Sequence, residues 1–586
     1  MVRGLRRSLS FAVASAAASV ASVAVRPSIL SPRPPPLAAG RAARAMVGGS
    51  GGASSEGSPD DFRLGYMTDV EGNLGYFRRC VERSSVLELV RDGKGEGESD
   101  LMLDLVGRGA HFVYGGDVVD RGPGDIRLTR CLVDLKRRHP DRVHLLVGNR
   151  DLNKIRLTAE LSAADLARRP EDIPAPHWDP AAPTLVDYLE GLVDEEEGGG
   201  MGRPRCDIAD VDTRANRLRY MLKHTLGCPD TFEYRRTELA ILRGGSAPPA
   251  QVSDDDVVRS FLREIEDPSG SLHAYLRCAC VAVAVGSTLF VHGAVDRRTM
   301  GYVPDPATRF ELPDRSSRSR TDDIGTLSPS EWVEGLNGFL RAGLDDYAAR
   351  PGWDAARTTR GGEALVALQN RCATWGRSVI SNSYGDGGCI TTEHALSLAS
   401  DPGQRAREAI DPLAFERVSS DPTDRTVAEW LLSGGIRRVV VGHKPTGDAP
   451  AVLSAHETGV EVVSADTNYS DPASPDGRGR AVPVVEILGQ TEFDNRLELS
   501  GTLSDGTEHR SVLNRLHGFS GIDETVGDSL LGRQIREETG EEDGDGPGRW
   551  WVKASTATDY RLARGRGRRV DYKSVPKAEL AIESVK

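Results

Sequence analysis

The chain has no CxxC pair among its eight cysteines (Cys80, Cys131, Cys206, Cys228, Cys278, Cys280, Cys372 and Cys389). That argues against a zinc ribbon or a thioredoxin-like site. Eight cysteines in 586 residues make no disulfide scaffold. They read as mostly reduced thiols, which suits an organelle matrix or the cytosol better than the cell exterior. A surplus of positive charge is also missing: 74 Lys and Arg stand against 87 Asp and Glu, a formal net charge of -13. Such a balance argues against nonspecific binding of nucleic acid or anionic membranes. Runs hydrophobic enough to make good membrane spans are absent too. With 38% hydrophobic and 27% charged residues, a polytopic membrane protein is excluded. The 64 Gly and 33 Pro are too many for a coiled-coil protein, yet too few for wholesale disorder.

The first 55 residues contain no acid and no Lys, but seven Arg (Arg3, Arg6, Arg7, Arg26, Arg33, Arg41 and Arg44). The run SLSFAVASAAASVASVAV is apolar over about 18 residues, but its Ala, Ser and Val make a poor transmembrane helix. An Arg-rich, Ser-rich, acid-free leader has the composition of an organelle transit peptide. A signal peptide, alone or as the first half of a bipartite plastid signal, also fits, as does a low-complexity N-terminus with Met46 as an alternative start. The expectation is a plastid or mitochondrial protein after removal of the leader, with the cytoplasm as the alternative.

The length allows about three or four domains, or one large domain with insertions. Five short β-rich runs each end in a glycine or a turn beside a residue able to hold a metal. They are the strand leading to Asp69, AHFVYGGD (110–117), RVHLLVGN (142–149), the hairpin VAVAVGSTLFVHG (281–293) and RRVVVGH (437–443). Helical patterns at Leu74–Val90 and Asp125–Arg138 lie between them. The expectation is an α/β fold, a two-layer β-sandwich flanked by helices, with its ligands at strand ends. Residues 1–60 are the leader, and 61–151 with 276–500 form the core, interrupted at about 296–425. Residues 152–275 form an inserted helical lid or decoration, and 501–586 a polar C-terminal extension ending in a basic-aromatic stretch.

Strand alternation from Asp69 to Glu71 would put two carboxylates on one face. Next come Gly116-Asp117 with Asp120-Arg121-Gly122, then Gly148-Asn149-Arg150-Asp151, Val291-His292-Gly293 and Gly442-His443-Lys444. This ordered series resembles the calcineurin-like metallophosphoesterase superfamily. The Asp-Arg-Gly form, LFVHGAV and the segment VEVVSADTNYSD look most like its phosphoprotein phosphatase and bis-nucleosyl tetraphosphatase branches. The resemblance implies a two-layer sandwich with two divalent ions between the sheets. One would be held by Asp69, Glu71 and Asp117, and the other by Asp117, Asn149, His292 and His443. Two ions so placed polarise a phosphoryl oxygen and activate a water for in-line attack. Arg121 would clamp phosphate oxygens with its planar fork, and Lys444 and Tyr469 are further substrate contacts. Phosphomonoesters, including phosphoproteins, are the expected substrates. The alternatives are a nucleotide or dinucleoside polyphosphate hydrolase, or a phosphate-binding pseudophosphatase.

Two departures stand out. Glu71 replaces the family's first His ligand, giving an all-carboxylate first site that should prefer Mn2+ or Mg2+ to iron or Zn2+. Arg150 stands where the family has a His thought to protonate the leaving group. Arg stays charged and cannot be a general acid near neutral pH. It could instead stabilise developing negative charge or pair with Asp120, and it favours anhydrides and aryl esters, whose leaving groups need less protonation.

Overall fold

The structure is a computed structural model. The residues described are 61–90, 101–173, 175, 182–197, 207–244, 249–295, 300–301, 303, 327–357, 359–367, 422–454, 458–513, 530–533, 535, 550–566 and 569–580. The leader, the loop at 91–100, most of 296–425 and the acidic stretch at 540–548 lie outside them.

The strands are β1 (Phe62–Met67), β2 (Leu87–Leu89), β3 (Leu103–Leu105), β4 (Ala110–Tyr114), β5 (Val143–Leu145), β6 (Ala282–Val285), β7 (Thr288–Val291) and β8 (Arg438–Val441). They continue with β9 (Ala451–Ser454), β10 (Glu461–Ser464), β11 (Val482–Gly489), β12 (Asn495–Thr502), β13 (Glu508–Leu513), β14 (Trp551–Ser555), β15 (Asp559–Arg566) and β16 (Arg569–Pro576). One sheet has the order β13-β12-β11-β1-β4-β5 and a second β6-β7-β8-β10-β9. In the first, β1, β4 and β5 are parallel; in the second, β7, β8 and β10 are. The expected α/β sandwich is therefore present.

Alternation along the strands builds its layers. Leu64, Tyr66, Phe290, Val440, Val463 and Ile487 pack into a core between the sheets. Tyr66 and Phe290 stack across that gap at 5.5 Å between ring centres. Their neighbours Met67, Leu289, Val291, Val439 and Val441 face outward into a core shared with the helices. Helix Leu74–Arg83 contributes Leu74, Tyr76, Phe77, Cys80 and Val81, and helix Asp125–Arg138 contributes Leu128, Leu132 and Leu135. The first of these is shorter than its sequence pattern. It ends at Ser84 because the Glu486 carboxylate accepts bonds from the Ser84 and Ser85 hydroxyls and from the Ser85 N–H. Leu87–Leu89 then pairs with Leu103–Leu105 as a strand.

The boundary placed at residue 500 also shifts. β12 runs through it, and β13 extends the first sheet to Leu513, because both strands bury alternate residues. The basic-aromatic tail forms a three-stranded sheet, β14-β15-β16. Its Trp550, Val552 and Leu562 join the inter-sheet core, and its Arg561 and Tyr572 hold Asp448.

The described residues of 152–275 are largely helical. Leu157, Leu218, Leu222, Phe232, Val257 and Phe261 give them a small core of their own. Helix Thr231–Leu242 anchors this insertion to the first turn of helix Asp125–Arg138. Glu238 accepts from the Ile126 and Arg127 N–H groups at 3.1 Å, and Arg235 pairs with Asp125 at 3.0 Å.

Candidate metal and phosphate site

The parallel strands aim their C-terminal ends at one place, where ligands of open α/β sheets collect. There the backbone takes conformations that side chains rarely adopt. Among the described residues, seven other than glycine have positive φ: Asp69, Glu71, Asp117, Asp120, Arg357, His443 and Tyr469. Five of the seven were singled out above for metal or substrate, and a sixth, Asp120, lies in the Asp-Arg-Gly motif. Such strain persists where the surroundings over-determine it, and it clusters at functional sites. It also corrects the reading of Asp69 and Glu71 by strand alternation. β1 ends at Met67, and both residues sit at φ 53° in the turn that follows. Gly116, at φ +97°, and Gly148 are needed for closeness as well. A Cβ on Gly116 would lie 2.9 Å from His292 Nδ1, and one on Gly148 would lie 2.1 Å from Asp117 Oδ1.

One pole of the site gathers Asp117, Asn149, His292 and His443. Ligand atoms of Asp117, His292 and His443 lie within 4.8 Å of one another. His292 Nε2 and His443 Nδ1 both point at Asn149 Oδ1, at 3.1 and 2.8 Å. His292 Nδ1 lies 2.8 Å from the Gly115 carbonyl, which can only accept, so Nδ1 carries the proton and Nε2 is turned inward as a potential ligand. Burial would lower the pKa of His292, but the Asp117 carboxylate outweighs it and pushes the imidazole up to about 10. Asp117 itself is held below the usual carboxylate range: His292, Arg150 and His443 outweigh its burial. The pocket therefore calls for positive charge between its donors. One carboxylate, one amide oxygen and two imidazoles are a donor set for a divalent cation, and these residues fit one. Asp151 braces them. Its carboxylate accepts from the backbone N–H groups of Asp117 (3.0 Å), Val118 (2.8 Å) and Gly148 (2.8 Å).

The other pole is a cluster of buried carboxylates and arginines. Glu71 is not drawn to the histidines. Its Oε1 lies 2.7 Å from Arg150 Nε. Its Oε2 faces Arg478 (3.2 Å), Asn468 (3.2 Å) and Arg121 (3.4 Å). Arg150 Nε also lies 3.5 Å from Asp117 Oδ2, and its Nη1 lies 3.5 Å from Asp120 Oδ2. Despite its burial, these carboxylates hold the Arg150 guanidinium above its usual range. Asp120 receives Lys154 Nζ at 2.7 Å. Asp69 Oδ2 accepts from the Thr68 hydroxyl (2.5 Å) and the His443 N–H (3.0 Å). Burial, with Asp466, Asp117 and Glu71 adding their charge, raises its pKa. Asp466 is pushed up to about 6, by burial and by Glu71.

Arg121 and Tyr469 open onto a cavity of about 220 Å³. Its other wall comes from the insertion, at Cys228, Pro229, Asp230 and Tyr234. Lys444 is half-buried on the loop after His443, where its N–H donates to the Gly442 carbonyl. Sequence reasoning did not single out Arg478, Asp466, Lys154 or Tyr234. The first two lie in or just beyond the SADTNYSD segment, so that segment carried a signal.

No family model matches the chain, and no curated protein matches it. Solved structures with some similarity include a cold-active protein-tyrosine phosphatase of a psychrophile, Shewanella sp. It is 15% identical over 78% of this chain and 83% of that one, with a TM-score of 0.30. A protein serine/threonine phosphatase from Saccharomyces cerevisiae is 10% identical over 73% of each chain, with a TM-score of 0.26. A metallophosphoesterase from Sphaerobacter thermophilus is 10% identical over 73% of this chain and 83% of that one, with a TM-score of 0.22. These likenesses are loose, and the functional reading rests on the residues.

Proposed function

We propose that this chain is a metal-dependent phosphoesterase. The observation that carries the reading is the convergence of His292 Nε2 and His443 Nδ1 on Asn149 Oδ1 beside Asp117. These four residues would hold a divalent ion. The ion would supply Lewis-acid polarisation of a phosphoryl oxygen. Arg121, with its side chain 31% exposed and its guanidinium braced by Glu71, binds the phosphate through its fork of N–H donors. Arg150, permanently charged, stabilises negative charge developing on the phosphoryl group but gives no proton to the leaving group. The preferred substrates are therefore those whose leaving group departs without one: phosphoanhydrides, including nucleoside polyphosphates, and aryl phosphates, ahead of alkyl esters such as phosphoserine. Tyr469 and the insertion wall receive the leaving group.

The test is a substrate panel with Mn2+. Hydrolysis of an aryl phosphate or a nucleoside polyphosphate should be abolished by Asp117→Asn. Turnover unaffected by that substitution would overturn the assignment of the site. Turnover of no ester or anhydride despite bound metal would instead make the chain a phosphate-binding module.

A further inference from the structure

We propose that the centre holds a single divalent ion, and that the guanidinium of Arg150 takes the place a second ion would have between Glu71 and Asp117. The inference rests on the metal-dependent reading above and departs from the two-ion arrangement that the sequence resemblance implies.

The argument is one of donors and charge. A second ion would need oxygens from Asp69, Glu71 and Asp117. Glu71 has neither oxygen to spare: Oε1 is held by Arg150 at 2.7 Å, and Oε2 faces Arg478, Asn468 and Arg121 within 3.4 Å. A carboxylate oxygen ligates such an ion at roughly 2.0–2.2 Å. An ion on Oε1 would therefore crowd directly against the arginine nitrogen already bonded there, cation against cation. The arginine is also not free to swing aside. Its side chain is 12% exposed, it spans Glu71, Asp117 and Asp120, and its own N–H donates to Asp117 Oδ1 at 2.8 Å. Nearby, Arg478 is 1% exposed and Lys154 2% exposed. Three buried cations thus already answer the carboxylates of Glu71 and Asp120, whose charge a second metal would otherwise neutralise. Asp69 turns one oxygen to the Thr68 hydroxyl and the His443 N–H. Through that oxygen it braces the loop that carries His443. At the histidine pole, among the described residues, no arginine stands between the two imidazoles and Asn149, and the donors converge.

The readout is metal content, which does not depend on turnover. The full chain, saturated with Mn2+ and freed of excess, should carry one manganese per chain by elemental analysis. Its electron paramagnetic resonance should show the hyperfine pattern of an isolated ion. His292→Ala should lose that ion, and Asp69→Asn should keep it. Arg150→Ala, shown to be folded by circular dichroism, should take up a second ion and develop an exchange-coupled spectrum. Two ions in the wild type with a coupled spectrum would overturn this inference and leave the phosphoesterase reading standing. No bound ion would overturn both. A folded Arg150→Ala that stays at one ion would overturn the role given to Arg150.

Discussion

Asp151 bonds the backbones of two ligand-bearing turns, at Asp117 and Gly148, without approaching the ligand cluster itself. Groups that orient metal ligands are typically worth about 10–100-fold in affinity. Asp151→Asn should weaken Mn2+ binding by about that factor, measured by titration, because the amide can offer one oxygen where the carboxylate offers two. Arg121→Ala should raise KM for an aryl phosphate by about tenfold, the worth of roughly 1.4 kcal/mol of lost phosphate contact, while leaving metal content unchanged. What could be read at this scale was the glycine-flanked residues. Gly116-Asp117 and Gly148-Asn149 advertise their turns, since a side chain on either glycine would collide with the site. What could not be read was the partner of Glu71. Arg478 lies 407 positions away, and no local pattern marks an arginine as buried. Arg150 was visible as an anomaly, and its possible pairing with Asp120 was foreseen. Its closer contact with Glu71 follows from the turn that points Glu71 inward, which strand alternation does not describe.

At the scale of elements, the insertion is tied to the first turn of helix Asp125–Arg138. Glu238 is fully buried and accepts from two backbone donors and from Arg127. Removing one partner of a buried pair typically costs about 3–5 kcal/mol, so Glu238→Ala should lower the unfolding free energy by about that much in a denaturant titration. Tyr234→Ala, on the cavity wall, should raise KM for bulky aryl or nucleotide leaving groups and leave that for phenyl phosphate nearly unchanged. In β13, burial pushes His509 down to about 4, below the ordinary value near 6.5 that it regains on unfolding. The unfolded chain then binds the proton more readily. Stability should be whole above pH 6.5 or so and fall as pH drops toward 4. His509→Phe should flatten that part of a thermal-melt pH profile. The helical content of 152–275 was legible in outline, and its described residues include helices such as Thr231–Leu242. Its docking was not, because Glu238 and Arg235 look like any exposed helical charges until their partners at Ile126, Arg127 and Asp125 are known.

At the scale of the whole molecule, the sandwich was the most legible feature, because five separate runs repeated one pattern. The membership of β12 and β13 in the first sheet was not, since their polar outward-facing residues resemble an extension. Beyond residue 55 the chain has 67 basic and 87 acidic residues, a net of -20. Such a surface repels anionic substrates at long range. Raising ionic strength from low salt toward 0.15 M, where charges screen over about 8 Å, should therefore increase kcat/KM for a nucleoside polyphosphate. We further propose that residues 1–60 carry the chain to a plastid or mitochondrion. A fluorescent protein fused after residue 60 should then be found there, and a fusion that stays in the cytoplasm would refute it.

β1 begins the described chain, yet its antiparallel partner is β11, with Phe62 opposite Gly489. Glu71, just beyond β1, is held by Asn468 and Arg478. On a ribosome adding roughly 5–20 residues per second, that partner arrives on the order of tens of seconds after β1 emerges. For all that time the first-made strand has one edge without its mate, and the acidic pole lacks the arginine that neutralises it. A nascent chain stalled before Arg478 thus holds every proposed ligand but lacks the buried arginine that faces Glu71.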